Sequence, residues 1–106
     1  MQQTFDSEHW VDENGNPAGG CSTGTGFTIS WQHGPLGRGA DRKKANGAFV
    51  AGIIAAAIDR LEFYQNTEFA CAENAEAKNY LESALESLNR RTADREARKV
   101  EGTHAL

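Results

Sequence analysis

The sequence predicts an α+β chain: a small N-terminal β segment followed by an antiparallel two-helix hairpin. Three observations predict it. Residues 27–32, Phe-Thr-Ile-Ser-Trp-Gln, alternate apolar and polar side chains, the period of a half-buried strand. Phe49, Ile53, Ala56, Ala57, Leu61 and Tyr64 recur at helical spacing, and Val50, Ile54 and Ile58 widen that face to nearly half a helix circumference. Ala77, Leu81, Leu85 and Leu88 form a narrower stripe on a second helix.

Taken in order, residues 1–24 read as a loosely structured N-terminal arm. Asn14-Gly15-Asn16-Pro17 and Gly19-Gly20 supply turn or linker chemistry. Within the arm, residues 5–11 are a candidate partner for the strand at 27–32, with the Gly-rich stretch as the turn between them. Residues 34–44 carry glycine at 34, 37 and 39 and read as a loop. The first helix is expected to begin near Ala45 and Asn46, with Asn46 as its N-cap, and to end at about Gln65. Asn66-Thr67-Glu68 reverses the chain, and the second helix covers 72–99, with Gly102 available to end it. The whole reads as a single domain over 1–106: arm 1–24, strand and Gly/Arg-rich loop 25–44, helical hairpin 45–99, tail 100–106.

Composition narrows the function. At 106 residues the chain supports one modest core. No apolar run reaches the length of a membrane span, and the polar, acidic first ten residues do not resemble a signal peptide. Cys21 and Cys71 share no motif and read as reduced thiols in a cytoplasm. His9, His33 and His104 are isolated and have no metal-ligand spacing with either cysteine. The net charge of −4 argues against a general binder of long nucleic acid. Its distribution says more. Residues 1–37 contain no Lys or Arg, whereas residues 38–44 hold four of the eleven basic residues and residues 90–99 hold five. Two compact basic patches on an acidic chain suit a small anion better than a polymer.

The second patch lies on the second helix. At about 100° per residue, Arg91, Arg95 and Arg98 fall within roughly 60° of one another. Guanidiniums on one face clamp phosphates well, although Asp94 and Glu96 are interleaved as in a salt-bridged, solvated helix end. The first patch, with Arg38 in the Gly-rich loop, reads as a connector or as an anion-cradling loop. It lacks the Gly-Lys-Ser/Thr of a nucleotide-hydrolase phosphate loop. No catalytic set is visible. Ser83 and Ser87 have no histidine, the glutamates are spaced as solubilising helix residues, and Cys71, among alanines, reads as a buried small residue. Tyr64, Phe69, Asn74, Arg91 and Arg95 remain as a pocket set: aromatics stack bases, Asn reads base edges, Arg pairs hold phosphates. Asn74 and Arg91 lie seventeen residues apart, about 26 Å along one helix. They share a small ligand only if two copies of the second helix pack antiparallel, so this set predicts at least a dimer.

Three motifs carry a resemblance over residues 25–104: Trp31-Gln32-His33-Gly34-Pro35-Leu36-Gly37-Arg38-Gly39, Asn46-Gly47-Ala48-Phe49-Val50, and Arg91-Thr92-Ala93-Asp94-Arg95-Glu96-Ala97-Arg98 through Val100-Glu101-Gly102-Thr103-His104. Together they resemble small phage proteins of the anti-Thoeris and anti-CBASS sponge family, most of all the anti-Thoeris branch with a β segment ahead of the hairpin. Where relatives often have Gly before Val-Glu-Gly, this chain has Lys99. The resemblance implies a non-enzymatic protein, without cofactor or metal, in the host bacterial cytoplasm. Its relatives hold cyclic nucleotide immune signals without cleaving them. Glycocyclic ADP-ribose is the implied ligand, and cyclic trinucleotides are held at separate sites of a hexamer built as a trimer of dimers. The family pocket uses an aromatic, an Asn and two Arg four residues apart; Tyr64, Asn74, Arg91 and Arg95 match in type and spacing, with Phe69 a rival for the aromatic place. A small nucleic-acid-binding module and a structural phage protein are the competing readings.

Overall fold

The computed structural model describes residues 4–106. It divides the chain into two compact units: the residues up to Phe49 joined by Val100–Leu106, and Val50–Lys99. Residues 1–3 of the expected arm lie outside the described residues.

The first unit is built on a three-stranded antiparallel sheet in the order β1 (Phe5–Val11), β2 (Pro17–Gly24), β3 (Phe27–Trp31). Most of the expected loose arm is therefore sheet, and the partner of β3 is β2, not β1. The sequence of β2, Pro-Ala-Gly-Gly-Cys-Ser-Thr-Gly, has little strand propensity of its own. It is extended because strands hydrogen-bond to it on both sides, and its small residues make room for the large side chains beside them. The register sets Phe5 opposite Gly24 and Gly24 opposite Phe27, so the two rings meet over the glycine, their centroids 6.5 Å apart. A Cβ at Gly24 would run into the Phe27 ring. On the same face the buried Ser22 hydroxyl is within 2.7 Å of Ser7 Oγ and accepts the Trp31 indole N–H at 3.0 Å. The β1–β2 turn is closed by Asp12, whose carboxylate accepts the Asn14 and Asn16 N–H groups. The Asn16 bond, more than the Asn14 bond or the charge of His104, holds this carboxyl below its usual range.

Beyond β3 the chain returns to the sheet edge at Ala48. The Ala48 N–H donates to the Ser30 carbonyl at 2.7 Å, and the Gln32 N–H donates to the Ala48 carbonyl at 3.0 Å. A Cβ on Gly47 would sit 2.5 Å from the Trp31 carbonyl oxygen, so only glycine fits this return. Asn46 is consequently not a helix cap. Its side chain pairs with the His33 backbone, accepting the N–H at 2.8 Å and donating to the carbonyl at 3.1 Å. The loop between them contains a 3-10 turn, Gly39–Asp41, and is tied to the tail. Gly37 N–H donates to the Gly102 carbonyl at 2.7 Å, and Arg42 grips the Glu101 carboxylate through both terminal nitrogens at 2.6 and 3.3 Å.

The second unit is the helical hairpin. Helix α1 spans Val50–Gln65, starting some five residues later than the sequence suggests because Ala48 is held by the sheet. Helix α2 spans Ala72–Ala97. Ile54, Ala57, Ile58 and Leu61 of α1 and Leu81, Leu85 and Leu88 of α2 are half-buried, the spacing of two helices packed along one seam. Among the described residues no hydrophobic side chain is fully buried, and Val50, Ile53 and Phe63 of α1 remain exposed. The hairpin alone does not cover the wide apolar face of α1.

Helix α2 is capped by Arg98, and the next residue, Lys99, has φ 61°. A side chain in this left-handed conformation costs about 1 kcal/mol relative to glycine. Lys99→Gly is therefore expected to stabilise the protein by about 1 kcal/mol. Urea unfolding checks it; a variant of equal or lower midpoint would show that the terminus is not strained.

Candidate ligand-binding site

The predicted site residues fall into three groups. Tyr64, Phe69 and Asn74 lie around the turn that joins the helices: Tyr64 in the last turn of α1, Phe69 in the connection, Asn74 in the first turn of α2. Tyr64 is 37% exposed, Asn74 is half-buried and Phe69 is 73% exposed. The turn is heavily bonded. The Tyr64 carbonyl accepts the Thr67 N–H at 3.0 Å and the Thr67 hydroxyl at 2.6 Å, and Thr67 Oγ1 accepts the Phe69 N–H at 3.2 Å. Gln65 bonds with the backbone of Cys71 in both directions. Cys71, expected to be a buried small residue, is exposed at the N-cap of α2 because the turn turns it outward; its thiol, like that of Cys21, is free.

The second group is the arginine face. Because α2 is continuous through both positions, Arg91 and Arg95 stand on successive turns of one face. Arg91 is exposed and, among the described residues, makes no ion pair; Arg95 is half-buried. Arg98 is at the C-cap, and its Nε donates to Asp94 Oδ2 at 3.0 Å, the interleaved pairing that the sequence foreshadows. Arg90 is paired likewise with Glu86 at 3.1 Å. Such exposed pairs are weak and readily exchanged for a phosphate. Seventeen residues of unbroken helix put Asn74 and Arg91 about 26 Å apart, so one chain does not bring the two groups together.

Arg38 is the third group. Its Nη1 donates to the Glu101 carbonyl at 3.0 Å, which anchors the loop to the tail.

Two features near the turn escape a reading by residue type. The Arg60 guanidinium lies 4.8 Å from the ring centroids of both Phe63 and Tyr64, which orients the Tyr64 ring. The i, i+3, i+4 spacing of these three residues on α1 is the signal that finds it. Lys78, one turn beyond Asn74, bonds to Glu82 at 3.0 Å and lies 3.6 Å from Glu62 on α1. The Glu82 bond foremost raises its pKa, so it remains a charged strut across the hairpin. A shallow, open groove of about 380 Å³ runs along α2, lined by Glu82, Leu85, Glu86, Asn89, Arg90 and Ala93. None of the predicted site residues lines it. Among the described residues no three His, Cys, Asp or Glu side chains gather as metal ligands, and no helix is long and apolar enough to cross a membrane.

A small antiparallel sheet leading a two-helix hairpin, with an Asn and aromatics at the hairpin turn and paired arginines near the far end of α2, defines a class of small hairpin proteins. The family model described as "Acb2/Tad1, hairpin domain" matches residues 25–93, and the chain belongs to that family. The match takes in Tyr64, Phe69, Asn74 and Arg91 and stops short of Arg95 and Arg98. Within the family the chain is similar to a protein of Bacillus phage SBSphiJ7 named Thoeris anti-defense 1, with 49% identity over 77 residues, 73% of this chain and 51% of that protein. The chain thus spans about half the length of the curated relative it matches.

Proposed function

We propose that this protein is a phage immune-evasion protein that sequesters a cyclic nucleotide immune signal, glycocyclic ADP-ribose, in the host cell without cleaving it. Arg91 and Arg95 on successive turns of α2 carry the reading: two guanidiniums, one of them exposed and unpaired among the described residues, suit a diphosphate bridge. Similarity to a Thoeris anti-defense protein supports it. The aromatic that stacks on the base is Tyr64, with Phe69 as its alternative, and Asn74 reads the base edge. These residues meet the arginines when two copies of α2 pack antiparallel, setting Asn74 of one beside Arg91 of the other. The uncovered apolar residues of α1 and the open groove on α2 favour such an assembly, a dimer or a hexamer of three dimers. Arg98 adds charge to the arginine face, and Arg38 in the Gly-rich loop is a candidate anion contact of its own. In a hexamer, cyclic trinucleotides bind separately, extending protection to CBASS defence.

Sequestration needs tight, stoichiometric capture. Stacking, desolvation and several Arg contacts supplying about 12 kcal/mol would hold the signal at nanomolar concentration. Excess glycocyclic ADP-ribose is mixed with the protein for hours, the protein is denatured, and the small molecule is chromatographed. Capture is expected to saturate at a fixed ratio to protein, with intact ligand fully recovered. Cleaved product accumulating with time would replace the sponge with an enzyme.

A further inference from the structure

We infer that Gln65 is a positioning residue for this site, a two-way amide clasp that sets the aromatic end of α1 against the start of α2. The inference rests on the sequestration reading above. Gln65 Nε2 donates to the Cys71 carbonyl at 3.0 Å, and Gln65 Oε1 accepts the Cys71 N–H at 3.0 Å. A side-chain amide closing both bonds onto one residue imitates a backbone pair across the turn. It leaves little freedom to either end, because each bond fixes the direction of the other.

The position of this clasp makes it relevant to binding. Gln65 is the last residue of α1 and follows Tyr64; Cys71 is the N-cap of α2 and precedes Asn74 by three residues, about 5 Å along the helix. The Cys71 side chain makes no capping bond, so Gln65 is what ties the cap residue to α1. Gln65 is half-buried, whereas Cys71, Tyr64 and Phe69 are exposed, so the clasp rests on its two-way geometry and not on burial. The amide thus holds the candidate base-stacking residue and the candidate base-edge reader in one geometry before a ligand arrives. Preorganisation of this kind strengthens binding by lowering the ordering cost at the site. Gln65 itself is not required to touch the ligand.

The test is a double-mutant cycle on the full chain with glycocyclic ADP-ribose as probe, read by calorimetry well below the melting temperature. Gln65→Met keeps length and helix propensity and removes both bonds. It is expected to weaken binding about tenfold in the native background, as loss of one well-placed ligand hydrogen bond would, and less than about twofold in an Asn74→Ala background, since a positioning residue acts through what it positions. A purely structural Gln65 would lower the melting temperature and leave affinity unchanged, or cost the same in both backgrounds; either result overturns the inference. Should Gln65→Met fail to fold, the same cycle with Gln65→Glu, which keeps the acceptor for Cys71 N–H and loses the donor, decides by the same criteria. A native protein that does not bind the probe overturns the sequestration reading and this inference with it. A native protein that binds while the Gln65 variants match it overturns this inference alone.

Discussion

Replacing Arg91 with alanine is expected to weaken the proposed capture of glycocyclic ADP-ribose by about tenfold to a hundredfold or more, and Arg95→Ala is expected to do the same. On this reading each guanidinium removed would take away charge-assisted bonds worth about 1.5–3 kcal/mol. Arg91→Ala is the cleaner variant, because the residue is exposed and unpaired among the described residues. Its melting temperature is expected to match the native protein's. Arg95 is half-buried, so its replacement also costs some stability. Lysine at either position restores charge without the planar fork and recovers only part of the affinity. Calorimetry that finds both alanine variants binding as tightly as the native chain removes the clamp, and the arginine face is then a solvated helix end.

An aspartate at Ile53 is expected to break the assembly. Ile53 is 38% exposed and Phe63 is 53% exposed on a helix with no fully buried residue. Covering the exposed part of Ile53 contributes about 1 kcal/mol, and an unpaired carboxylate buried in the same place costs several kcal/mol more. Together these correspond to at least a hundredfold weaker association, read as a shift to smaller species in light scattering. Binding is expected to fall with it, because the proposed site needs arginines and Asn74 that are about 26 Å apart in one chain. On a face that is merely solvated, the same substitution changes stability by only about 0.5 kcal/mol and the mass not at all. A native protein that scatters as a monomer at micromolar concentration would refute the shared site.

Much of this was legible in the sequence because it depends on local periodicity. Helical spacing sets Arg91 and Arg95 on one face whatever surrounds them, and it identifies the seam of Leu81, Leu85 and Leu88. The alternation at Phe27 to Trp31 is likewise a property of the strand itself. The end of α2 was anticipated in part: Lys99 stands where a left-handed residue is needed, and Gly102, also at positive φ, follows in the tail.

Tertiary structure decided what depends on distant partners. Pro17–Gly24 is the central strand because backbone groups of β1 and β3 claim both its edges, an arrangement its glycines permit but do not announce. Asn46 has the chemistry of a cap, yet His33, thirteen residues away, takes its amide and delays α1 to Val50. Arg38 and Arg42 read as a free basic patch, but Glu101 of the tail engages both, through its carbonyl and its carboxylate. Gln65 carries no signal by type or spacing; only the turn brings its amide to Cys71. In each case the sequence by itself determined which groups can bond, and the tertiary structure chose between partners of similar energy by bringing one of them within 3 Å or so.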